Sequence, residues 1–245
     1  PPPVETAQAP NVILISIDGF RADYLERGAT PVLVPLDHGN RGWTLDLEKL
    51  EAAITPRTRA FFINTPSNPT GWVGTKEELA AILAIARKHG IWIIADEIYT
   101  RFVWTGDAVR APSFHDVCEP DDKLLWVNTF SKNWAMTGWR CGWVEADPAL
   151  GDVIENLIQY STSGSPVFIQ RAAVAALDQG EPFIAEQIAR AGEGRRIVYE
   201  GLKATNRVSL AAPAGAFYQF FFVDGYDNSR QLGLDLVDNA NVGLA

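Results

Sequence analysis

Lys132 and Arg140 are the residues of this sequence with the clearest capacity for chemistry. They follow the apolar run Leu124–Val127, which is typical of a buried strand, so Thr129, Ser131 and Lys132 lie just past a strand's carboxyl end. Open α/β sheets bind ligands at that edge. A lysine amine there can form a Schiff base with a carbonyl compound, and a planar guanidinium can grip a phosphate through two hydrogen bonds. The alternative is an ordinary surface lysine and an ion-pairing arginine.

Two further strands deliver polar residues in the same way. The apolar run Ala60–Ile63 leads into a turn that contains Asn68, and Ile91–Ala95 leads directly into Asp96 and Tyr99. Because parallel strands end at one edge of a sheet, we expect these side chains to lie near Lys132. Each residue also has a purely structural interpretation: Asn68 as a turn residue, Asp96 as a helix cap and Tyr99 as core packing.

The elements between these strands read as crossover helices. Thr75 to Glu78 form a capping box that starts a helix, and Gly90 ends it. Trp43 to Ile54 is predicted as a second helix, capped near Thr44. Alternation of strand and helix predicts a mostly parallel sheet.

The second half of the chain is predicted to be largely helical. Helices are expected from Asp147 towards Tyr160, from Val167 to Leu177 and from Glu181 to Lys203. Pro213 to Tyr218 is expected to begin a strand of a smaller domain.

With N-P-T-G at residues 68–71, D-E-x-Y at 96–99 and S-K-x7-R at 131–140, the chain resembles the fold-type-I, pyridoxal-phosphate-dependent aminotransferases of classes I and II. The motifs occur in the family's order. The resemblance covers about residues 31–245 and implies an α/β fold that is an incomplete fold-type-I large domain plus part of the small C-terminal domain. It implies a large domain over residues 31–195 and a truncated small domain over 196–245.

The resemblance also assigns roles. Asp96 would face the pyridine nitrogen, and Asn68 and Tyr99 would hydrogen-bond the ring's 3-oxygen. Lys132 would hold the cofactor covalently and shuttle the substrate's α-proton. Thr129, Ser131 and Arg140 would bind the phosphate.

The implied reaction transfers an amino group between an amino acid and a 2-oxo acid. The family's phosphate-binding glycine turn, ring-stacking aromatic and carboxylate-binding arginine have no matching positions here, so a truncated or chimeric fold that binds pyridoxal phosphate weakly without turnover is the alternative. Relatives in this family are normally homodimers.

Residues 1–30 read differently. The run Asn11–Ile17 ends in Asp18-Gly19-Phe20-Arg21, which resembles the start of nucleotide pyrophosphatase/phosphodiesterases, where the aspartate is a metal ligand. We therefore expect residues 1–30 to be a strand-helix segment foreign to the rest. A metal-dependent phosphodiesterase is the remote functional alternative, because the three histidines His38, His89 and His115 have no metal-ligand spacing and no metal site is predicted.

Composition narrows the remaining possibilities. The chain has 245 residues, 47% of them hydrophobic, which is enough to bury a sizeable core. A net charge of −9 argues against nucleic-acid binding, and no apolar stretch reaches the length of a membrane span. Two cysteines give neither a disulfide framework nor a metal pattern, so we expect a reducing compartment, the cytoplasm.

Overall fold

The computed structural model describes residues 11–14, 30–39 and 42–244, with residues 11–14 described for the backbone alone. Asp18 and its neighbours, on which the phosphodiesterase resemblance rests, lie outside the described residues. The strands are β1 (Asn11–Leu14), β2 (Thr30–Leu33), β3 (Asp37–Gly39), β4 (Gly42–Thr44), β5 (Thr58–Asn64), β6 (Trp92–Asp96), β7 (Leu124–Thr129), β8 (Gly142–Ala146), β9 (Val208–Leu210) and β10 (Phe221–Val223). The α-helices are α1 (Leu47–Ala52), α2 (Lys76–His89), α3 (Phe130–Asn133), α4 (Gly151–Ser161), α5 (Val167–Gln179), α6 (Glu181–Ala204) and α7 (Ser229–Ala240).

The predicted sheet is present and mostly parallel. Among the described residues, six strands pair in the order β2-β1-β5-β6-β7-β8, and β8 runs antiparallel to β7. Strand β1 lies between β2 and β5 and pairs in parallel with both, so residues 11–14 are part of the same sheet as the site-bearing strands. The pairs β9–β10 and β3–β4 are antiparallel and separate from this sheet.

The main core fills one face of the sheet. Helix α2 begins at the predicted capping box, in which Thr75 and Glu78 each bond the other's backbone N–H, and ends at Gly90 in the left-handed conformation. Its apolar side packs on alternate residues of β5, β6 and β7, such as Phe61, Ile93 and Leu124, and all three are fully or almost fully buried. Burial of such side chains contributes roughly 1.5–3 kcal/mol each, which fixes the register of the strands that carry the site.

The predicted start of the helix at Trp43, with its cap near Thr44, is wrong. Residues 42–44 form strand β4 opposite β3, and α1 starts after Asp46, whose carboxylate accepts the N–H groups of Glu48 and Lys49. The hairpin competes with the predicted cap because Trp43 packs on His38, with ring centroids 4.8 Å apart.

The predicted strand at Pro213 to Tyr218 is also absent among the described elements. Its backbone groups bond to residues of distant loops: Gly215 N–H donates to Gly71 O at 2.9 Å, and Ala216 N–H donates to Phe102 O at 2.8 Å. The described pairing of this segment is one isolated antiparallel β-bridge, between Val103 and Gly215. Strand β10 begins three residues later.

No described helix is long and apolar enough to cross a membrane.

Candidate functional site

The three strands that carry the predicted residues end side by side. In the parallel register Asn64, the last residue of β5, pairs with Asp96, the last residue of β6. Asp96 in turn pairs with Val127 of β7, two residues before that strand ends at Thr129. The sheet therefore presents its carboxyl edge as a row of polar residues, as the sequence predicts.

The turn after β5 holds Asn68 against this edge. Asn64 Oδ1 accepts the Asn68 N–H at 2.8 Å, while Asn64 Nδ2 donates to Asp96 O at 3.2 Å. Asn64 thus ties the turn to the neighbouring strand. Asn68 itself is only 7% exposed, and its side-chain amide lies 3.4 Å from the Tyr99 hydroxyl.

Tyr99 is the centre of the contacts at this edge. It is fully buried, and Lys132 Nζ lies 5.1 Å from the centroid of its ring. A lysine ammonium at that distance over an aromatic face is attracted by the ring's electron-rich surface. Asn68, Tyr99 and Lys132, which lie far apart in sequence, therefore form one contacting group.

Lys132 is positioned by the short helix α3. Thr129 caps this helix, since its hydroxyl accepts the Ser131 N–H at 3.0 Å. The same hydroxyl lies 3.1 Å from Cys141 O and 3.0 Å from Ser131 Oγ. Because a hydroxyl has one proton, it can donate to only one of these two acceptors. Thr129 and Ser131 therefore share one hydrogen-bonded corner directly beside Lys132.

Asp96 and Arg140 differ in how closely they join the group. Asp96 is partly buried at the end of β6, and its Oδ1 lies 3.4 Å from the Ile98 N–H. Arg140 is exposed, has a φ of 51°, and its guanidinium donates to Thr137 O at 2.9 Å. The described contacts thus do not bring the Arg140 side chain to Thr129 or Ser131, although the carbonyl of the next residue, Cys141, lies 3.1 Å from the Thr129 hydroxyl.

Sequence reasoning missed Tyr218. Its hydroxyl lies 2.8 Å from the Tyr99 hydroxyl, and the two rings pack edge to face with centroids 5.7 Å apart. The signal available in the sequence was a tyrosine that follows the small-residue run Ala214 to Ala216. Nothing in the sequence indicates that this run packs on the turn after β5.

Glu97 is a second residue whose role the sequence did not reveal. Its carboxylate accepts the Ser113 hydroxyl at 2.6 Å and the Phe114 N–H at 2.9 Å, which ties the loop after Tyr99 to the end of β6. Burial raises the pKa of the Glu97 carboxyl, and the two hydrogen bonds oppose that shift.

A cavity of about 500 Å³ opens beside Lys132. Gln187, Arg190 and Ala191 of α6 also line it, and Phe102 and Phe217 supply aromatic surface. Among the described lining residues, Lys132 and Arg190 are the charged ones and both are cationic. Such a cavity suits a small anionic ligand with an apolar part.

Comparison with known proteins identifies a family. The sequence model of the family "Aminotransferase class I and II" matches residues 20–242. A probable aspartate aminotransferase of Methanocaldococcus jannaschii is 32% identical over 206 residues, covering 82% of this chain and 53% of the relative. A probable aspartate/prephenate aminotransferase of Aquifex aeolicus is 38% identical over 213 residues, covering 85% of this chain and 52% of the relative.

Solved structures show the same fold. The aspartate aminotransferase of Thermotoga maritima superposes with a TM-score of 0.87 at 29% identity, covering 98% of this chain and 62% of that one. The aromatic aminotransferase of Pyrococcus horikoshii gives a TM-score of 0.88 at 29% identity, covering 97% of this chain and 64% of that one. The chain spans about half the length of the curated relatives it matches. From the matched residues and the shared fold, the chain belongs to the family of class I and II aminotransferases.

Proposed function

We propose that this chain binds pyridoxal phosphate at the carboxyl edge of β5, β6 and β7 and transfers an amino group between an amino acid and a 2-oxo acid. The observation that supports this most directly is the contacting group of Asn68, Tyr99 and Lys132 at the ends of neighbouring strands. Aminotransferases of this family use pyridoxal phosphate. When bound, this cofactor supplies an electron sink for the carbanion formed as an amino acid loses its α-proton.

The side chains at this edge fit the cofactor's functional groups. Asp96 offers a carboxylate for a protonated ring nitrogen, and Asn68 and Tyr99 offer N–H and O–H donors for a ring oxygen within one buried pair. The Lys132 amine is the covalent attachment point. Thr129 and Ser131, one residue either side of Phe130, offer two hydroxyls for the phosphate.

Arg140 is the proposed phosphate contact whose side chain points away from Thr129 and Ser131 in the structure, towards Thr137 O. Its side chain is exposed and bonded to a backbone carbonyl of its own turn, so reaching a phosphate beside Ser131 requires a rotamer change. A bidentate guanidinium–phosphate contact is stronger than one neutral hydrogen bond, which favours that change when the phosphate is present.

Lys132 has two successive tasks in this proposal. It holds the cofactor until the substrate amine displaces it, and its freed Nζ then moves the proton from the substrate's α-carbon. The cavity beside it gives the displaced amine room to move.

Arg190 supports the proposed substrate class. Every amino acid and every 2-oxo acid carries a carboxylate, and Arg190 faces the same cavity as Lys132. Among the described residues it has no ion-pair partner, so its guanidinium is available to a ligand. Gln187, one helical turn earlier, adds an amide to the same wall.

Covalent labelling tests the cofactor assignment without relying on turnover. The chain is incubated with pyridoxal phosphate, reduced with borohydride and digested, and the modified peptide is mapped. We expect the label on Lys132 and little on Lys123 or Lys203, which are surface lysines and serve as internal controls. A label scattered over surface lysines contradicts the assignment.

Turnover is measured next with glutamate, aspartate, alanine and aromatic amino acids in a coupled assay. Production of 2-oxo acid that is lost in Lys132→Ala supports the whole proposal. A Lys132 label without turnover supports the alternative of a cofactor-binding fold that does not catalyse.

The remaining expectations belong to the whole protein. Homodimerisation is expected from the family and is checked by light scattering. The cytoplasm remains the proposed compartment, in keeping with Cys118 and Cys141, which are both free thiols.

A further inference from the structure

The segment from Pro213 to Tyr218, here called the docking loop, is held tightly against the site. Its Ala214 and Gly215 N–H groups both donate to Gly71 O, at 3.0 and 2.9 Å. Ala214 O accepts the Trp104 N–H at 2.8 Å. The docking loop therefore joins the turn that carries Asn68 to the loop that follows Tyr99.

Close packing accompanies these hydrogen bonds. A Cβ atom on Gly71 would lie 2.4 Å from Pro213 Cβ, and one on Gly215 would lie 2.6 Å from Val73 Cγ2 and 2.9 Å from Phe102 O. The turn and the docking loop can approach this closely only because Gly71 and Gly215 have no side chains. The docking loop therefore packs against the site in one position, which fixes the location of Tyr218 at its end.

That place is the Tyr99 hydroxyl. Tyr218 Oη lies 2.8 Å from Tyr99 Oη, a normal length for a hydroxyl pair, whereas Asn68 Nδ2 is at 3.4 Å. The shorter bond is the stronger constraint on where the Tyr99 oxygen points. Phe217 packs edge to face on Tyr99 at 5.2 Å, so the ring is held as well as its hydroxyl.

We propose that Tyr218 is a positioning residue for the cofactor, acting through Tyr99. This inference rests on the proposed function, in which the Tyr99 hydroxyl donates to the cofactor's ring oxygen. By fixing the Tyr99 oxygen, Tyr218 keeps that donor aligned. The C-terminal part of the chain thereby tunes a site whose other proposed cofactor-binding residues lie between positions 68 and 140.

The sign of the effect follows from charge. A donor to the ring oxygen stabilises its negative charge most when the Lys132 linkage is deprotonated, because the protonated linkage already neutralises part of that charge. A well-aligned Tyr99 therefore lowers the apparent pKa of the linkage. Loss of the Tyr218 hydroxyl weakens the alignment and raises that pKa.

The test is a pH titration of the visible absorbance of the full chain loaded with pyridoxal phosphate. We expect Tyr218→Phe to raise the apparent pKa of the linkage by roughly 0.3 to 1 pH unit, the equivalent of about one ordinary hydrogen bond. Tyr99→Phe should raise it at least as much, and adding Tyr218→Phe to Tyr99→Phe should produce no further shift. A merely structural role for Tyr218 would not give this pattern.

Tyr226→Phe is the matched control. It also removes one tyrosine hydroxyl and one hydrogen bond, to Asp235 Oδ2 at 2.9 Å, but on α7 and its preceding loop. We expect its titration to match the wild type. Should Tyr218→Phe not fold, Tyr218→Leu, which also lacks a hydrogen-bonding group, takes its place under the same criterion.

The outcomes separate the two levels of inference. If the wild-type chain forms no linkage at Lys132, the proposed function fails and the role of Tyr218 fails with it. If the linkage forms and Tyr218→Phe titrates like the wild type, or shifts equally with and without Tyr99, the role of Tyr218 alone is refuted.

Discussion

Gly215→Ala should destabilise the protein strongly, because position 215 has no room for a methyl group. The added Cβ would lie 2.6 Å from Val73 Cγ2, 2.7 Å from Pro66 Cβ and 2.9 Å from Phe102 O. Two of these neighbours are a proline ring and a backbone carbonyl, which cannot move aside by a change of rotamer. The strain must therefore be relieved by moving the backbone.

The strain can be relieved in two ways, and these set the expected loss in the free energy of unfolding. If the docking loop stays seated, overpacking costs about 1–3 kcal/mol. If it lifts, the hydrogen bonds to Gly71, Phe102 and Trp104 are lost, at about 0.5–1.5 kcal/mol each. The protein takes the less costly route, so we expect a loss of roughly 1–3 kcal/mol in the free energy of unfolding. For a chain of this size that lowers Tm by roughly 2–12 °C.

Urea unfolding followed by tryptophan fluorescence measures this change. Gly194→Ala is the matched control, because Gly194 lies in the interior of α6 with nothing within 4 Å of its added Cβ. That substitution should stabilise the helix by about 0.5–1 kcal/mol. The packing argument is refuted if Gly215→Ala unfolds at the same urea concentration as the wild type or as Gly194→Ala.

Three further outcomes are expected. Burial raises the pKa of Glu97 above its ordinary value of 4.5, so the fold favours the protonated carboxyl and the wild-type free energy of unfolding should fall as pH rises above that value. Glu97→Gln lacks this titration, so its stability should increase relative to that of the wild type over the same range. Urea melts that give parallel pH–stability curves for the two proteins would contradict this. Arg110 lowers the pKa of Asp116 from 3.8 to about 2, so their ion pair stabilises the fold above pH 3.8 and is lost as pH falls towards 2. Asp116→Asn should therefore lower the free energy of unfolding by about 1 kcal/mol at neutral pH, after solvent screening. If the mutant is less stable than the wild type by the same amount at pH 2, the ion pair is not the cause. Arg190→Gln removes one charged contact to the substrate carboxylate, so it should raise KM for amino-acid substrates roughly tenfold and leave labelling of Lys132 intact. Arg230→Gln on α7 is the control. An equal rise in KM for that variant would show that general surface charge is responsible.

The local rules of the sequence predicted most of the sheet and its helices well. The capping box at Thr75 and the glycine at 90 fix both ends of α2, because those residues satisfy the free backbone groups of a helix through near neighbours in sequence. The strand ends at Asn64, Asp96 and Thr129 could also be predicted locally, because an apolar run followed by polar residues indicates the end of a strand. The predicted helix start at Trp43 and the predicted strand at Pro213 to Tyr218 were wrong because contacts outside the local sequence determine both conformations. Trp43 packs on a ring across a hairpin, and the 213–218 segment donates to the carbonyl of a distant glycine.

The sequence by itself determined the family and the motif residues proposed to bind the cofactor, because both depend on residue types in a fixed order along the chain. The strand pattern predicted that Asn68, Tyr99 and Lys132 lie near one edge of a parallel sheet, but their contacts depend on the strand register, which the tertiary structure supplied. The contact between Tyr99 and Tyr218 was decided by the tertiary structure alone. It depends on how a loop near residue 215 packs on a turn near residue 71, where two glycines let the backbones touch, and no local pattern encodes which distant surface a loop will meet.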